Sequence, residues 1–154
     1  MQPMEMPRPG PGHAALAKLA GEWTGQEKVH PSPWDPVGGT AIGKVSNRVV
    51  LDGFAMVQEY QQSRDGQVTF SGHGVFWIDP EKSVLTLHWW DTMGGTLSVF
   101  TGAWTGDELA MTTVGPMGHL RCRFKVQAAT YQFRMEASPD GKQWFPSLEG
   151  SYRK

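Results

Sequence analysis

Disulfide chemistry is closed to this chain, because Cys122 is its only cysteine. A lone thiol fits a reducing compartment, and the expected location is the cytoplasm. Long apolar runs are missing too. No stretch approaches the roughly 18 residues that a spanning helix needs, so no membrane association is expected. There is no excess of positive charge either: 14 Lys and Arg stand against 15 Asp and Glu, for a net charge of −1. A nucleic-acid surface should show a basic patch, so a nucleic-acid partner is not expected. Zinc-spaced cysteines, a phosphate-cradling glycine loop and a nucleophile elbow are likewise missing from the sequence.

What the chain does have is turn chemistry and aromatic bulk. Seven tryptophans and nineteen glycines in 154 residues suit a sheet protein with tight turns and a bulky interior. The length is that of one domain with a substantial core. Residues 1–12, rich in proline and glycine, show neither the basic start nor the apolar centre of a signal peptide and read as a disordered tail. Residues 13–154 read as a single β-barrel domain. Only His13 to Ala20 has helical character, through Ala14, Ala15, Leu16 and Leu19, and Gly21 stops it. Trp23 follows, placed to close one end of the fold.

Beyond it, turn signals punctuate the chain at Asp65-Gly66, Asp79-Pro80, Gly94-Gly95, Gly106-Asp107, Gly115-Pro116 and Pro139-Asp140-Gly141. The alternating segments between them predict strands over 22–30, 39–48, 53–64, 67–78, 83–91, 96–104, 107–114, 119–127, 129–138 and 142–152. Links this short leave no room for parallel crossovers. The expected fold is therefore all-β: a ten-stranded antiparallel meander closed into a barrel, which removes exposed edges. The one long irregular link, His30 to Gly38, is expected to lie across a mouth of the barrel, with Trp34 plugging it.

Facing can be read from the last hairpins backward. His119, Arg121, Arg123 and Lys125 alternate with Leu120, Cys122, Phe124 and Val126, and charges belong outside because an unpaired buried charge is costly. Propagating that alternation through each hairpin places Gln58, His73, His88, Ser98 and Thr113 in an inward row. Tyr60, Ser71, Val75, Thr86, Trp90, Phe100 and Met111 flank it. The same walk puts Val57, Phe76, Leu85, Leu87, Trp89, Leu97 and Val99 on the outside of strands three to six. An apolar patch there marks a partner surface, so a homodimer through this face is expected. The rival reading makes these residues the core.

His73, between Gly72 and Gly74, and His88 could ligate a metal or haem iron, or act as acid and base near neutral pH. They equally suit a hydrogen-bonded interior pair joined to Gln58. Without a carboxylate or third nitrogen the pair makes a poor metal site, Glu59 falling on the other face, and no metal is expected. Flanking glycines would let a ligand approach His73 closely. Cys122, set among apolar neighbours, reads as an inert small hydrophobe.

The segments Leu19–Gly25 (LAGEWTG), Val29–Pro36 (VHPSPWDP), Leu51–Phe54 (LDGF), Phe70–Trp77 (FSGHGVFW) and Ser138–Gly141 (SPDG) resemble a bacterial domain-of-unknown-function family with a lipocalin-like (calycin) barrel. The resemblance covers nearly all of the chain after residue 13 and implies the fold, not an activity. The architecture is more distantly similar to nitrobindins, which hold ferric haem through a histidine on a C-terminal strand; here no histidine follows His119. It is also similar to fatty-acid-binding proteins, whose last strand carries an Arg-x-Tyr carboxylate grip. This chain has Gly150-Ser151-Tyr152-Arg153 instead, and neither site carries over.

The expected function is binding of a small, mostly apolar ligand inside the barrel, contacted by Gln58, Tyr60, His73, His88, Trp90, Ser98, Phe100, Met111 and Thr113. The alternatives are an isomerase, cyclase or hydrolase using His73 or His88, or a haem or metal protein with the same ligands. A fourth reading fills the interior with tryptophan and leaves a structural or interaction domain.

Overall fold

The computed structural model describes residues 1–154. A short helix α1 (Pro11–Leu16) runs into a 3₁₀ turn at Ala17–Leu19. Ten strands follow: β1 (Gly21–Val29), β2 (Gly39–Val50), β3 (Ala55–Arg64), β4 (Gln67–Asp79), β5 (Val84–Asp91), β6 (Ser98–Thr105), β7 (Glu108–Gly115), β8 (Gly118–Gln127), β9 (Thr130–Ser138) and β10 (Phe145–Arg153). Each strand pairs antiparallel with its sequence neighbours, and β1 closes on β10 to complete a barrel. The all-β meander read from the turns is thus the observed fold.

A six-residue helix has too few internal hydrogen bonds to hold itself. Pro11 fixes its first turn, and the Gly10 N–H donates to His13 Nδ1 at 2.9 Å. What anchors the segment is burial: Leu16 and Leu19 are 2% and 0% exposed at one end of the barrel, packed with Trp23, Met56, Phe76 and Leu109. Truncating a leucine so placed costs about 2–5 kcal/mol. Gly21, at φ +130, turns the chain from this plug into β1. Trp23 Nε1 and Asn47 Nδ2 both donate to the Leu19 carbonyl, at 2.9 and 2.8 Å, so the plug's last backbone acceptor is satisfied twice. Trp23 closes that end, as its position at the start of the first strand indicated.

The register corrects the facing of two strands. Ser98 lies opposite Trp89, and His88 opposite Val99, one residue away from the expected pairing. The link from Thr92 to Leu97 is irregular, with Gly94 at φ +112 and Gly95 at φ +66, and such a link does not transmit register as a two-residue turn does. The slip inverts β5 and β4. A second irregularity, in which Gln62 pairs with Phe70 but Ser63 with Val68, leaves Thr69 as an extra residue on β4 and inverts the facing again. Gln58 and Tyr60 therefore do point inward, while His73, Ser71, Val75, Thr86, His88 and Trp90 point outward.

The outward facing read for the apolar residues of strands three to six is corrected for the same reason. Phe76, Leu85 and Leu87 are 0%, 5% and 4% exposed and belong to the core, with Trp89 packed against them. Only Val57, Leu97 and Val99 of that set face out. The rival reading, that these residues form the core, holds for Phe76, Leu85 and Leu87 and for the partly buried Trp89 beside them.

Candidate functional site

Along β1 the inward positions are Trp23, Gly25 and Glu27. Glu27 is 2% exposed. Tyr60 on β3 donates its hydroxyl to both carboxylate oxygens, at 2.8 Å to Oε1 and 2.7 Å to Oε2. Tyr152 on β10 donates to Oε2, and Gln62 Nε2 donates to Oε1 at 3.1 Å. Both oxygens act only as acceptors, the pattern of an ionised carboxylate. The protein's ion pairs all lie elsewhere, so three neutral donors do the work of a counter-charge. Burial first, and then the charge of Glu27, raise the Tyr60 and Tyr152 hydroxyls far above the ordinary phenol range. Both remain protonated donors.

Glycine makes the room. A Cβ at Gly43 would collide with Glu27 Oε2, and one at Gly150 with the Tyr152 hydroxyl. Both glycines sit in strand interiors, where the residue otherwise weakens a sheet and marks a close approach.

On the far side of the two phenols the barrel encloses a chamber of about 200 Å³. Its wall is mostly aromatic: Tyr60, Phe70, Trp89, Phe100, Phe124, Tyr131, Phe133 and Tyr152, with Val45, Leu87, Leu120, Cys122, Met135 and Leu148 between them. Gln58, Asp91 and Ser98 are its polar members. Tyr131 stacks on Tyr152 at 4.7 Å between ring centres and meets Trp23 edge-on at 4.8 Å, so the chamber wall is continuous with the plugged end.

Trp89 explains the glycines around His73. A Cβ on Gly72 would fall inside the Trp89 indole, and one on Gly74 would stand 2.9 Å from Leu87 Cδ1 and 3.0 Å from the indole. The pair seats an interior tryptophan rather than exposing His73 to a ligand. Trp89 Nε1 donates to Asp91 Oδ2 at 2.8 Å, and Asp91 Oδ1 accepts the Met93 N–H at 2.9 Å. The orientation of Gln58 follows from its neighbours. Leu19 O can only accept, so Asn47 donates to it; Asn47 Oδ1 then accepts from Gln58 Nε2 at 3.0 Å. The Gln58 carbonyl oxygen is left as an acceptor. Burial pushes the Cys122 thiol up to about 12, which makes it a poor nucleophile.

Of the residues expected to contact a ligand, Gln58, Tyr60, Ser98 and Phe100 line the chamber. Met111 and Thr113 share their inward face, with Met111 sealed in the packed core at 0% exposure. His73, His88 and Trp90 lie outside. There His73 pairs with Glu59 directly across β3 and β4, and Glu59 is on the same face as His73, not the opposite one. His88 stacks on Trp77 at 5.9 Å and neighbours Trp90 at 6.4 Å. No histidine reaches the chamber, so interior acid–base or haem roles for these two lose their geometry.

The link after β1 stands at the opposite end from the helix. His30 bonds Glu149 at 2.7 Å and Asp35 pairs with Arg64; these contacts hold both carboxyls below their ordinary range. Trp34 does not plug the mouth, being 66% exposed.

Glu27, Gln62, Trp89, Asp91 and Tyr152 were not legible as site residues. The default that charges face outward hid Glu27, although the alternation Trp23, Gly25, Glu27 points it inward.

A plugged barrel with an aromatic chamber and a phenol-held carboxylate places the chain in the class of small closed ten-stranded β-barrels. The chain belongs to the family described as "Protein of unknown function (DUF1579)", whose model matches residues 8–154. Its fold is similar to that in the crystal structure of Rv2717c from M. tuberculosis, with a TM-score of 0.71 and 16% identity over 94% of this chain and 98% of that one. At that identity the likeness speaks to fold alone. No curated protein matches the sequence.

Proposed function

We propose that the protein binds one small, mostly apolar organic molecule in the barrel chamber. The observation that carries this is the wall itself: a cavity of about 200 Å³ bounded by aromatic and aliphatic side chains, with a few fixed polar groups. That combination is the usual makeup of a ligand pocket. Apolar cavities of roughly 150 Å³ take up benzene, so the size suits a single-ring or short-chain compound and is too small for haem. Gln58, Tyr60, Trp89, Phe100 and Tyr152 make the contacts. With the wall free of histidine, binding is favoured over histidine-based catalysis.

Thermal unfolding with a panel of single-ring compounds tests the reading. Ligand at a hundred times its Kd stabilises by about 2.7 kcal/mol, a shift of several degrees. Ser98→Trp, which places an indole at the chamber rim, is expected to abolish the shift while leaving the unliganded protein folded. A panel that moves neither protein would refute the proposal.

A further inference from the structure

We infer that the ligand carries a protonated amine, not a carboxylate. This rests on the chamber being a binding site and names the chemistry that it selects. Several polar groups of the wall present acceptors to the chamber. The Tyr60 and Tyr152 hydroxyls spend their hydrogens on Glu27, and the Trp89 indole spends its own on Asp91. The Tyr60 oxygen already accepts from Gln62 Nε2 at 3.1 Å, whereas the Tyr152 oxygen and the Gln58 carbonyl oxygen keep acceptor capacity. The Tyr60, Tyr152 and Trp89 donors are thus committed before any ligand arrives.

Charge points the same way. No lysine, arginine or histidine lines the chamber. The wall itself holds the Asp91 carboxyl, and the carboxylate of Glu27 stands one hydroxyl behind it in no ion pair, with Lys28, Arg64, Arg123, Lys125 and Arg134 lining the cavity on its other side. In a poorly solvated chamber whose wall holds a carboxyl and no cation, a cation is favoured and an anion opposed. Aromatic faces complete the environment, since the face of a phenol or indole ring attracts a cation placed over it. Apolar walls, acceptor oxygens, ring faces and net negative charge together describe a receptor for an aryl- or alkylamine. A fatty acid or other carboxylate would meet the same walls with no free cation to pair with.

The test compares three molecules of matched shape by calorimetric titration of the full chain: phenethylamine, propylbenzene and phenylpropionate. Phenethylamine is expected to bind at least about tenfold tighter than phenylpropionate, a difference of about 1.4 kcal/mol. Glu27→Gln is expected to weaken phenethylamine about tenfold while leaving propylbenzene unchanged. Asp91→Asn, at the rim and outside the core, provides a second variant that lowers the same preference. If propylbenzene binds and phenylpropionate equals or exceeds phenethylamine, the amine inference is overturned and the binding reading stands. If phenethylamine is preferred equally by wild type, Glu27→Gln and Asp91→Asn, the assignment to these carboxyls is overturned. If none of the three binds, both readings fall.

Discussion

The Tyr152 hydroxyl donates to the carboxylate of Glu27, joining residues 125 positions apart across the strands that close the barrel. Tyr60 completes the clasp from β3. One buried charge on β1 is therefore held by three donors from two other strands, and the same phenols form a wall of the chamber.

Removing a donor should expose what that clasp contributes. Tyr152→Phe deletes one hydrogen bond to a buried carboxylate and is expected to cost about 1.5–3 kcal/mol of stability. Chemical denaturation of Tyr152→Phe, Glu27→Gln and the double variant measures the coupling. A double variant no less stable than Tyr152→Phe alone is expected, because Glu27→Gln removes the charge that the missing donor had satisfied.

Alkaline pH should unfold the protein rather than titrate it. Tyr60, Tyr131 and Tyr152 are the only tyrosines, and burial, reinforced by Glu27, raises all three above the ordinary value of 10.0. Below that value both states hold the phenolic protons and the stabilisation is complete. Above it the unfolded chain releases protons that the fold retains, so stability falls as pH rises, by up to about 1.4 kcal/mol per pH unit for each tyrosine. Tyrosinate absorbance is expected to appear together with loss of the circular dichroism signal. Absorbance that rises first, in a still-folded protein, would contradict this.

Gly72 should tolerate no side chain. Gly72→Ala drives a methyl into the Trp89 indole and is expected to destabilise by about 1–3 kcal/mol, as overpacking does. Because Trp89 forms part of the chamber wall, the variant should also lose binding of any ligand identified for the wild type. Gly66→Ala, where a Cβ meets nothing within 4 Å but φ is +79, controls for backbone strain alone.

Cys122 should report opening of the barrel. With its thiol buried at 3% exposure and raised to about 12, labelling by a thiol reagent at neutral pH is expected to proceed only through unfolding. The labelling rate should follow denaturant concentration along the unfolding curve, and a chamber ligand should slow it.

The barrel was legible because hairpin punctuation is local: Asp65-Gly66 or Gly106-Asp107 announces a turn whatever surrounds it. Facing was not, because it accumulates along the chain. From Thr113 beside Leu120 back to Phe100 the alternation holds, and the pairing of β7 with β8 is as read. One residue of slip in the Thr92–Leu97 link then turned His73 and His88 outward, and the extra Thr69 turned Gln58 and Tyr60 back. Glu27 escaped for a different reason. A carboxylate is costly to bury only while unpaired, and its three donors lie on β3 and β10, distant in sequence. The inward glycines at 43 and 150 were the trace it left.

Two-dimensional NMR of the protein titrated with phenethylamine tests the central claim most directly. Saturable shifts are expected at Tyr60, Trp89, Phe100 and Cys122, inside the chamber, with Trp77, His88 and Trp90 on the outer face unmoved. Shifts confined to that outer row, or an interior unperturbed at saturating ligand, would contradict the account.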